Sequence, residues 1–299
     1  FPPKQRAGGN DMDIVLGASG HVGGTVARRL LEQGRPVTVV LHRPEQDSEW
    51  SARGASVAVL DVHDTAALMA AFSKARRAFL LNPPASPALD VDCEERRTIQ
   101  SILDAVRGAS LEKIVVQSTY GAQDNPHCGD LGSLYTFEQG AREMGVPLCI
   151  VRAAYFMSNW YGALSTARQS GVFPSLLPKG LKAPIVAPQD VGELAARLLV
   201  APVEETGTYS IEGPETYTPE DVATALSAVL EQTVTVDEIP RLEWLKFYRS
   251  HGFCPEAAQS YATMTGIFVD GLYDRPRTPL RGATDLRTCL RDQASISSR

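Results

Sequence analysis

A strand-like segment that runs into a glycine-rich turn and then into a helix-like segment most constrains the fold of this 299-residue chain. Residues 13–16 are apolar after the first, and glycines follow at Gly17, Gly20 and Gly23. In dinucleotide-binding folds the first such glycine permits a tight turn, the second leaves room for a pyrophosphate, and the third lets helix and strand pack closely. The helix N-terminus then offers free N–H groups and a positive dipole end to the phosphates. The residues predicted to bind a dinucleotide at this turn are Gly17, Ser19, Gly20, His21, Val22 and Gly23.

The first half of the chain alternates strand-like and helix-like segments with short connections. The strand-like runs are short and continuously apolar, which is typical of strands buried on both faces of a parallel sheet. Helical spacing fills the gaps, for example at residues 65–72 and 94–106. Because strands joined in this way form right-handed crossovers, we expect an α/β fold with a doubly wound parallel Rossmann sheet. The six predicted strands are residues 13–16, 37–41, 56–60, 77–81, 113–117 and 148–151.

The second half predicts a smaller C-terminal α/β portion that would bind substrate. Thr218 followed by a proline is typical of a helix start, and Asp190 is expected to open a helix that packs back on the Rossmann sheet. We therefore expect a dinucleotide-binding domain at residues 11–152 and a substrate portion at 153–299, with residues 1–10 as a tail. The elements predicted for this half lie at residues 158–168, 190–200, 207–211, 218–230, 234–239, 242–250 and 255–270.

Composition and charge narrow the classes of partner. The formal net charge of −6 argues against nucleic acid as the main partner, because binding a phosphate backbone needs a basic face. No apolar run is long enough to span a membrane. The five cysteines are scattered and none has metal-ligand spacing, so we expect free thiols, no metal site and a cytoplasmic location. The sequence leaves the oligomeric state open, a homodimer included.

Aromatic residues are frequent in the second half of the chain. They indicate either a pocket for a flat or apolar small molecule or a core that joins the two portions, and the sequence favours neither. These residues are Trp160, Tyr161, Trp244, Phe247, Tyr248, Phe253 and Tyr261.

The end of the second predicted strand distinguishes between the two nicotinamide dinucleotides. NAD sites usually place an acidic residue there, which accepts hydrogen bonds from the ribose 2′-hydroxyl. This strand is followed by His42 and Arg43, and no carboxylate comes before Glu45. Because a guanidinium binds phosphate oxygens in a fork, Arg43 with His42 beside it predicts NADP(H) as the cofactor. Asp61, after the third strand, would either meet the adenine amino group or form a turn.

These residues, together with later ones, resemble the NmrA-like family of atypical short-chain dehydrogenases/reductases. The resemblance covers roughly residues 13–212. Besides the glycine turn and Arg43, it is carried by Leu81-Asn82-Pro83-Pro84, Gln117-Ser118-Thr119, the segment 151–159 and Gln189-Asp190-Val191-Gly192.

The resemblance implies an NADP(H)-binding Rossmann fold whose small C-terminal part closes a substrate cleft. It places Asn82 and Pro83 at the nicotinamide side of the cofactor, and Ser118 and Thr119 beside the reacting ring. The residues that it assigns to the substrate cleft are Tyr155, Phe156 and Asn159. Members of the family include quinone and carbonyl or alkene reductases, and others sense NADP without known turnover.

The proton donor is where this chain departs from catalytic short-chain reductases. Those enzymes carry Tyr-x-x-x-Lys, in which the lysine lowers the pKa of the tyrosine. No tyrosine here has a lysine four residues later, and Leu134 stands at the position aligned with that lysine. Since the nicotinamide carries the hydride, the companion proton would come from Tyr120, His127, Tyr135 or water. We prefer His127, because an ordinary imidazole titrates near neutral pH.

Three functions fit these observations. The first is an NADP(H)-dependent oxidoreductase that reduces an electron-poor small organic substrate such as a quinone, enone or imine, which accepts hydride with little acid help. The second is a non-catalytic NADP-sensing regulatory protein, which the missing lysine also supports. The third is a non-redox isomerase or cyclase that uses the same cleft.

Overall fold

The computed structural model describes residues 12–296 of the chain. Its strands are β1 (Asp13–Val15), β2 (Val37–Leu41), β3 (Ser56–Val59), β4 (Arg77–Leu80), β5 (Lys113–Thr119), β6 (Leu148–Ala153), β7 (Tyr155–Phe156), β8 (Val172–Ser175), β9 (Ala183–Val186), β10 (Gly207–Glu212), β11 (Thr216–Tyr217), β12 (Thr235–Glu238) and β13 (Leu280–Arg281). Its helices are α1 (His21–Glu32), α2 (Asp47–Ala52), α3 (Thr65–Phe72), α4 (Val91–Arg107), α5 (Asp130–Glu143), α6 (Ala163–Ser170), α7 (Pro188–Val200), α8 (Pro219–Leu230), α9 (Trp244–Ser250), α10 (Pro255–Val269) and α11 (Leu286–Ile296).

Eight of these strands form one parallel sheet in the order β13-β10-β6-β5-β4-β1-β2-β3. Helices pack on both of its faces, which confirms the predicted doubly wound α/β fold. The chain builds outward from β1 to β3 and then returns to the other side of β1 as β4. This reversal creates a crevice at the carboxyl ends of β1 and β4, where sheets of this kind bind ligands.

Alternating residues of the central strands feed two separate cores, one on each face of the sheet. Val15 and Val115 pack in the core that includes α1 and α7. Their neighbours Ile14 and Ile114 point to the opposite core, which includes α3, α4 and α5. Successive strand residues project to opposite faces, so a strand buried on both sides must be apolar throughout. This explains why these strands were visible in the sequence as continuous apolar runs.

Glycines allow α1 to lie unusually close to the structures on either side of it. A Cβ on Gly23 would lie 2.6 Å from the carbonyl oxygen of Leu16 and closer still to that of Gly17. On α7, a Cβ on Gly192 would lie 2.8 Å from the carbonyl oxygen of Val22. The turn after β1, α1 and α7 are therefore stacked at distances that no other residue type permits at Gly23 and Gly192.

Two buried cations hold the C-terminal end of α7 against the sheet. Arg77 Nη1 donates to the carbonyl oxygens of Leu199 at 2.6 Å and Ala201 at 2.9 Å. Lys113 Nζ donates to the carbonyl oxygen of Pro202 at 2.8 Å. The last carbonyls of a helix lack intrahelical partners and form the negative end of its dipole. These contacts offset the burial of Lys113, which lowers the pKa of its ammonium group.

The second half of the chain contributes more to the main sheet than its sequence indicated. β10, which the sequence assigns to the smaller portion, pairs with β6, and β13, which no sequence pattern predicts, adds an edge strand. Residues 169–189, for which no helix or strand was predicted, contain β8, which pairs with β12, and β9, which pairs with β7 and β11. Runs of two to four residues are too short to show a strand period.

Asp190 has a different role from the helix cap that its position suggested. α7 already begins at Pro188, and the Asp190 carboxylate accepts hydrogen bonds from the Thr284 hydroxyl at 2.8 Å and from the Thr284 N–H at 3.0 Å. Asp190 therefore ties the segment before α11 to α7. Among residues 12–296, no helix combines the length and the apolar content needed to cross a bilayer.

We expect Gly23→Ala to lower the free energy of unfolding by about 1–3 kcal/mol, as overpacked sites do, despite the better helix propensity of alanine. Gly20→Ala is the matched control. Gly20 has φ −95° and ψ 176°, an extended backbone that any residue adopts, and its added Cβ would meet only the Gly17 oxygen at an ordinary 3.4 Å. Urea unfolding of both variants measures the difference. Equal stability of the two would mean that α1 is not held this close to the turn.

Candidate cofactor and substrate site

The N-terminus of α1 opens onto the carboxyl edge of the sheet with space in front of it. Gly17 has φ +68°, and its carbonyl oxygen accepts the Gly20 N–H at 2.9 Å, which makes the turn tight. Gly20 is the N-cap residue, and no side chain in the described part of the chain caps the helix. The first-turn N–H groups are thus available to an anion. Since Gly20 has an ordinary extended backbone, glycine is needed there for the open space rather than for the conformation.

Of the other residues predicted at the turn, Ser19 and His21 are exposed and Val22 is buried. The His21 ring meets the ring of Tyr161 edge-on at 5.3 Å. Tyr161 in turn hydrogen-bonds Cys289 of α11, with 2.9 Å between Oη and Sγ. Although the residue is exposed as a whole, partial removal of its ring from water, assisted by the positive charge of Arg28, lowers the pKa of His21. A neutral imidazole therefore lies beside the turn, braced by the C-terminal part of the chain.

The residues predicted to choose NADP(H) lie at the ends of β2 and β3. His42 and Arg43 are exposed, and Arg43 has no ion-pair partner among residues 12–296. An unpartnered guanidinium at this place suits a phosphate group. Asp61 is already engaged locally. It accepts the His63 N–H at 2.9 Å, and this contact lowers the pKa of its carboxyl group.

Asn82 and Pro83 follow β4 at the crevice, as the sequence placed them. The side-chain oxygen of Asn82 is buried and has no hydrogen-bond partner among the described residues, and the same holds for Gln189 at the start of α7. A buried amide oxygen without a donor costs free energy. The carboxamide of a nicotinamide ring is one group that could donate to such an oxygen, so these residues fit a nicotinamide dinucleotide.

A buried carboxylate that no sequence motif had indicated fixes the carboxyl ends of β5 and β6. Glu138 of α5 accepts the Ser118 hydroxyl at 2.6 Å and binds Arg152 through two contacts of 2.8 and 2.7 Å. Its side chain is fully buried, and it raises the pKa of Arg152. The Ser118 hydroxyl is therefore committed to Glu138. Thr119 has a long contact of 3.5 Å from its hydroxyl to the Ala153 oxygen.

The three candidate proton donors have different surroundings. Tyr120 is buried, and its hydroxyl lies 3.3 Å from Glu212 Oε1. Burial and this carboxylate raise the pKa of Tyr120, which is opposite to the activation a lysine supplies. His127 has an 81% exposed side chain with Nδ1 4.0 Å from Asp92. Tyr135 is half-buried on α5, next to the buried Leu134. The donor roles of these residues stay predictions.

A buried pair of carboxyl groups, also missed in the sequence, lies beside the loop that follows Asn82. Glu95 of α4 accepts the Ser133 hydroxyl at 2.6 Å and the Ala85 N–H at 3.4 Å, and it hydrogen-bonds Asp130. Burial first, and then the charges of Asp130 and Asp92, raise the pKa of Glu95 to about 8. Glu95 is therefore largely protonated at neutral pH. The available signal was its place on the buried face of α4, which it shares with Ile99 and Ile102.

Two cavities flank the segment 271–275 in the C-terminal part of the chain. The larger, about 380 Å³, lies at the carboxyl ends of β5 and β6 and includes Arg152. The smaller is about 80 Å³ and shares Gly271 and Tyr273 with the larger one. The larger cavity is lined by Gly121, Ala122, Gln123, Arg152, Gly271, Leu272, Tyr273 and Asp274.

None of the residues assigned to the substrate cleft lines either of these two cavities. The Tyr155 ring packs on Phe268 at 5.1 Å, and Phe268 stacks on Tyr273 at 5.7 Å. Phe156 packs against the α1 and α7 core, and the exposed Asn159 hydrogen-bonds the Tyr155 hydroxyl. None of the aromatic residues named from the sequence lines either cavity, and Trp160, for example, packs in the core of the C-terminal part. The aromatic residues at the smaller cavity are Phe268 and Tyr273, which were not among them.

Comparison with known proteins gives consistent findings. The model of the NmrA-like family matches residues 11–274. The chain is 32% identical over 235 residues to a (4-alkanoyl-5-oxo-2,5-dihydrofuran-3-yl)methyl phosphate reductase of Streptomyces griseus, covering 76% of this chain and 77% of that protein. It is 26% identical to an NAD(P)H azoreductase of Xenophilus azovorans, covering 75% of each. The NADPH complex of an Escherichia coli quinone oxidoreductase has a TM-score of 0.76 at 20% identity, covering 96% of this chain and 99% of that one.

The raised pKa of Glu95 predicts a specific pH dependence of stability. The contribution of protonated Glu95 to the free energy of unfolding is complete below the ordinary pKa of 4.5 and is lost as the pH rises through about 8. Gln keeps an acceptor for Ser133 and cannot ionise, so Glu95→Gln should become more stable than wild type by about 1–3 kcal/mol as the pH rises from about 5 to about 9. Urea unfolding across this range measures the difference. Glu94→Gln, next to it and partly exposed, should track wild type, and a pH-independent difference for Glu95→Gln would contradict the prediction.

Proposed function

This chain belongs to the NmrA-like family, and we propose that it is an NADP(H)-dependent oxidoreductase that reduces electron-poor, conjugated organic molecules. The observation that carries the proposal is the N-terminus of α1, which faces open space at Gly20, together with Arg43 just after β2. Within residues 12–296 no side chain caps this helix and Arg43 has no ion-pair partner. A helix N-terminus and a guanidinium are two phosphate-binding devices. Their placement suits the pyrophosphate and the 2′-phosphate of one NADP(H) molecule.

The residues of the crevice have separate tasks in this proposal. The backbone N–H groups of His21 and Val22 would bind the pyrophosphate, Arg43 the 2′-phosphate, and the orphaned oxygen of Asn82 the nicotinamide carboxamide. When bound, NADPH supplies the hydride. The chain then has to hold an acceptor next to the nicotinamide and exclude water from it. The larger cavity, at the carboxyl ends of β5 and β6, is where the acceptor would lie.

The choice of an electron-poor acceptor follows from the surroundings of the candidate acids. Tyr120 has a raised pKa and hydrogen-bonds a carboxylate, so it is a poor proton donor. A quinone or enone spreads the incoming charge over a conjugated system and can take its proton from water or from the exposed His127. The names of relatives point the same way, because an azoreductase, a quinone oxidoreductase and a reductase of an alkanoyl-oxo-dihydrofuran act on conjugated acceptors.

A second function has an observation in its favour. The buried Leu134 stands where catalytic relatives of the wider reductase superfamily carry lysine, and Tyr120 is deactivated as an acid. A protein that binds NADP(H) to report its level needs no proton donor. The sensing function would keep the cofactor crevice and dispense with turnover.

NADPH should bind more tightly than NADH, and Arg43→Ala should remove most of the difference. A hydrogen bond to a charged group contributes about 1.5–3 kcal/mol, which corresponds to about one to two decades in Kd. Calorimetric titration with both cofactors measures the gap. Arg53→Ala is the matched control, because Arg53 is also an exposed arginine, and it pairs with Glu49. Equal affinities of the wild-type protein for the two cofactors would rule out this role for Arg43.

NADPH oxidation should be detectable with quinones and enones, and slower by about 10²–10⁴-fold with simple ketones and aldehydes, for which a tuned general acid matters. The absorbance of the reduced cofactor follows the reaction. If His127 supplies the proton, His127→Asn should lower kcat while the Kd for NADPH stays unchanged; the same holds for Tyr120→Phe and Tyr135→Phe. If NADPH binds tightly but none of these acceptors oxidises it, the sensing function would be favoured.

A further inference from the structure

The smaller cavity combines aromatic walls with positive charge. Its apolar lining includes Leu181, Phe268 and the ring of Tyr273, and the side chains of Lys182 and Arg275 stand at the same cavity. Both cations are exposed, and neither has an ion-pair partner among the residues that the structure describes. Two positive charges that line one small cavity attract an anion into it. This arrangement is complementary to a ligand that has an apolar ring and an anionic group.

Arg275 is held in place by the aromatic wall. Its guanidinium lies 5.9 Å from the centroid of the Tyr273 ring and hydrogen-bonds the Tyr273 hydroxyl. Tyr273 is fixed in turn by its parallel stack on Phe268, with an interplanar angle of 6°. A side chain that is already ordered loses less conformational entropy when it binds a ligand. Arg275 is therefore positioned for binding, unlike a freely moving surface arginine.

Nearby carboxylates do not neutralise these two cations. Asp270 forms an ion pair with Arg241 at 2.6 Å. Asp274 lines the larger cavity, where its charge acts on Arg152. The acidic residues of the segment are thus directed to other partners, and the positive charge at the smaller cavity stays uncompensated among the described residues.

The two cavities are neighbours, since Gly271 and Tyr273 line both. A volume of about 80 Å³ exceeds the roughly 10–15 Å³ that a cavity needs to hold one water molecule and can hold a compact group such as a carboxylate, sulfonate or phosphate. A ligand anchored there by its anionic group would have its conjugated part beside the larger cavity, at the carboxyl ends of β5 and β6.

From this geometry we propose that Lys182 and Arg275 form an anion subsite, so that the substrates are conjugated molecules that carry a carboxylate, sulfonate or phosphate group. The subsite rests on the proposed reductase function for its meaning in turnover, while binding of the anion is a separate property that can be measured without turnover. No bond is made or broken at the subsite. Its effect is to bind and orient the acceptor.

The test is calorimetric titration of the protein–NADP⁺ complex with 2-naphthalenesulfonate, and with 2-naphthol as the neutral analogue. Neither probe can be reduced, so the result is independent of catalysis. The wild-type complex should bind the sulfonate more tightly than the naphthol. Added salt should weaken the binding of the sulfonate only, because it screens charges. Lys182→Gln and Arg275→Gln should each raise the Kd for the sulfonate by roughly tenfold, and the double variant should raise it further. The Kd for naphthol should change little.

Lys179→Gln and Arg277→Gln are the matched controls. Both residues are exposed, lie within three positions of the subsite residues and do not line the cavity, so their loss should leave sulfonate affinity within about twofold of wild type. Equal affinity for sulfonate and naphthol, or equal weakening by control and subsite variants, would overturn the proposal.

A parallel assay of NADPH oxidation by 1,4-naphthoquinone separates the two proposals. Sulfonate binding that depends on Lys182, without any quinone reduction, would support the subsite and count against the reductase function. Quinone reduction without selective sulfonate binding would do the reverse.

Discussion

The close approach of α1 to the turn after β1 is the constraint on which the rest of the structure depends. At Gly23 a helix lies against the carbonyl oxygens of Leu16 and Gly17 with no side chain between them. This contact fixes the direction of α1 and hence the place where its N–H groups meet the open space at Gly20. Gly192 brings α7 equally close to α1. The position of the second half of the chain relative to the crevice is therefore set through α1.

Buried charges then specify how the second half of the chain docks. Arg77 and Lys113 can be buried at the starts of β4 and β5 because they donate hydrogen bonds to carbonyl oxygens at the end of α7. At the carboxyl ends of β5 and β6, the buried carboxylate of Glu138 is paired with Arg152. A buried charge that loses its partner destabilises a protein by about 3–5 kcal/mol. Packed apolar surfaces can slide past each other by small distances. These charged contacts form in only one arrangement of the two halves of the chain, and that arrangement fixes the position of the larger cavity.

Local patterns explain which parts of the fold could be predicted from the sequence. The helix at residues 65–72 and the strand at 37–41 were predicted with the bounds they have, because periodicity and turn residues lie within the segment itself. The glycine turn was visible for the same reason. β13 has only two residues and is a strand because β10 is beside it. Its existence depends on a partner about 70 positions away, which no local window contains.

The candidate site divides in the same way. Backbone positions at strand ends, such as Asn82 and Arg43, follow from topology once the strands are known. The side-chain partners do not, because Glu138 with Arg152 and Tyr120 with Glu212 are brought together only by the finished fold. A signal did exist for Glu138, since it shares the buried face of α5 with Phe137 and Ala141. A carboxylate on such a face needs a cationic partner, and an arginine inside a buried strand is a natural candidate.

The construction of the larger cavity has a consequence for how this protein can evolve. Arg152, which lines the cavity, is held by the buried Glu138, whereas the rest of the lining comes from the connecting segments 121–123 and 271–274, which belong to no helix or strand. In the proposed function, substitutions in these segments would change which acceptor is admitted while the sheet, the crevice and the buried ion pair stay intact. Apart from Arg152, the residues that would choose the acceptor are therefore different from those that hold the sheet and its helices together, and selection can act on one set without disturbing the other.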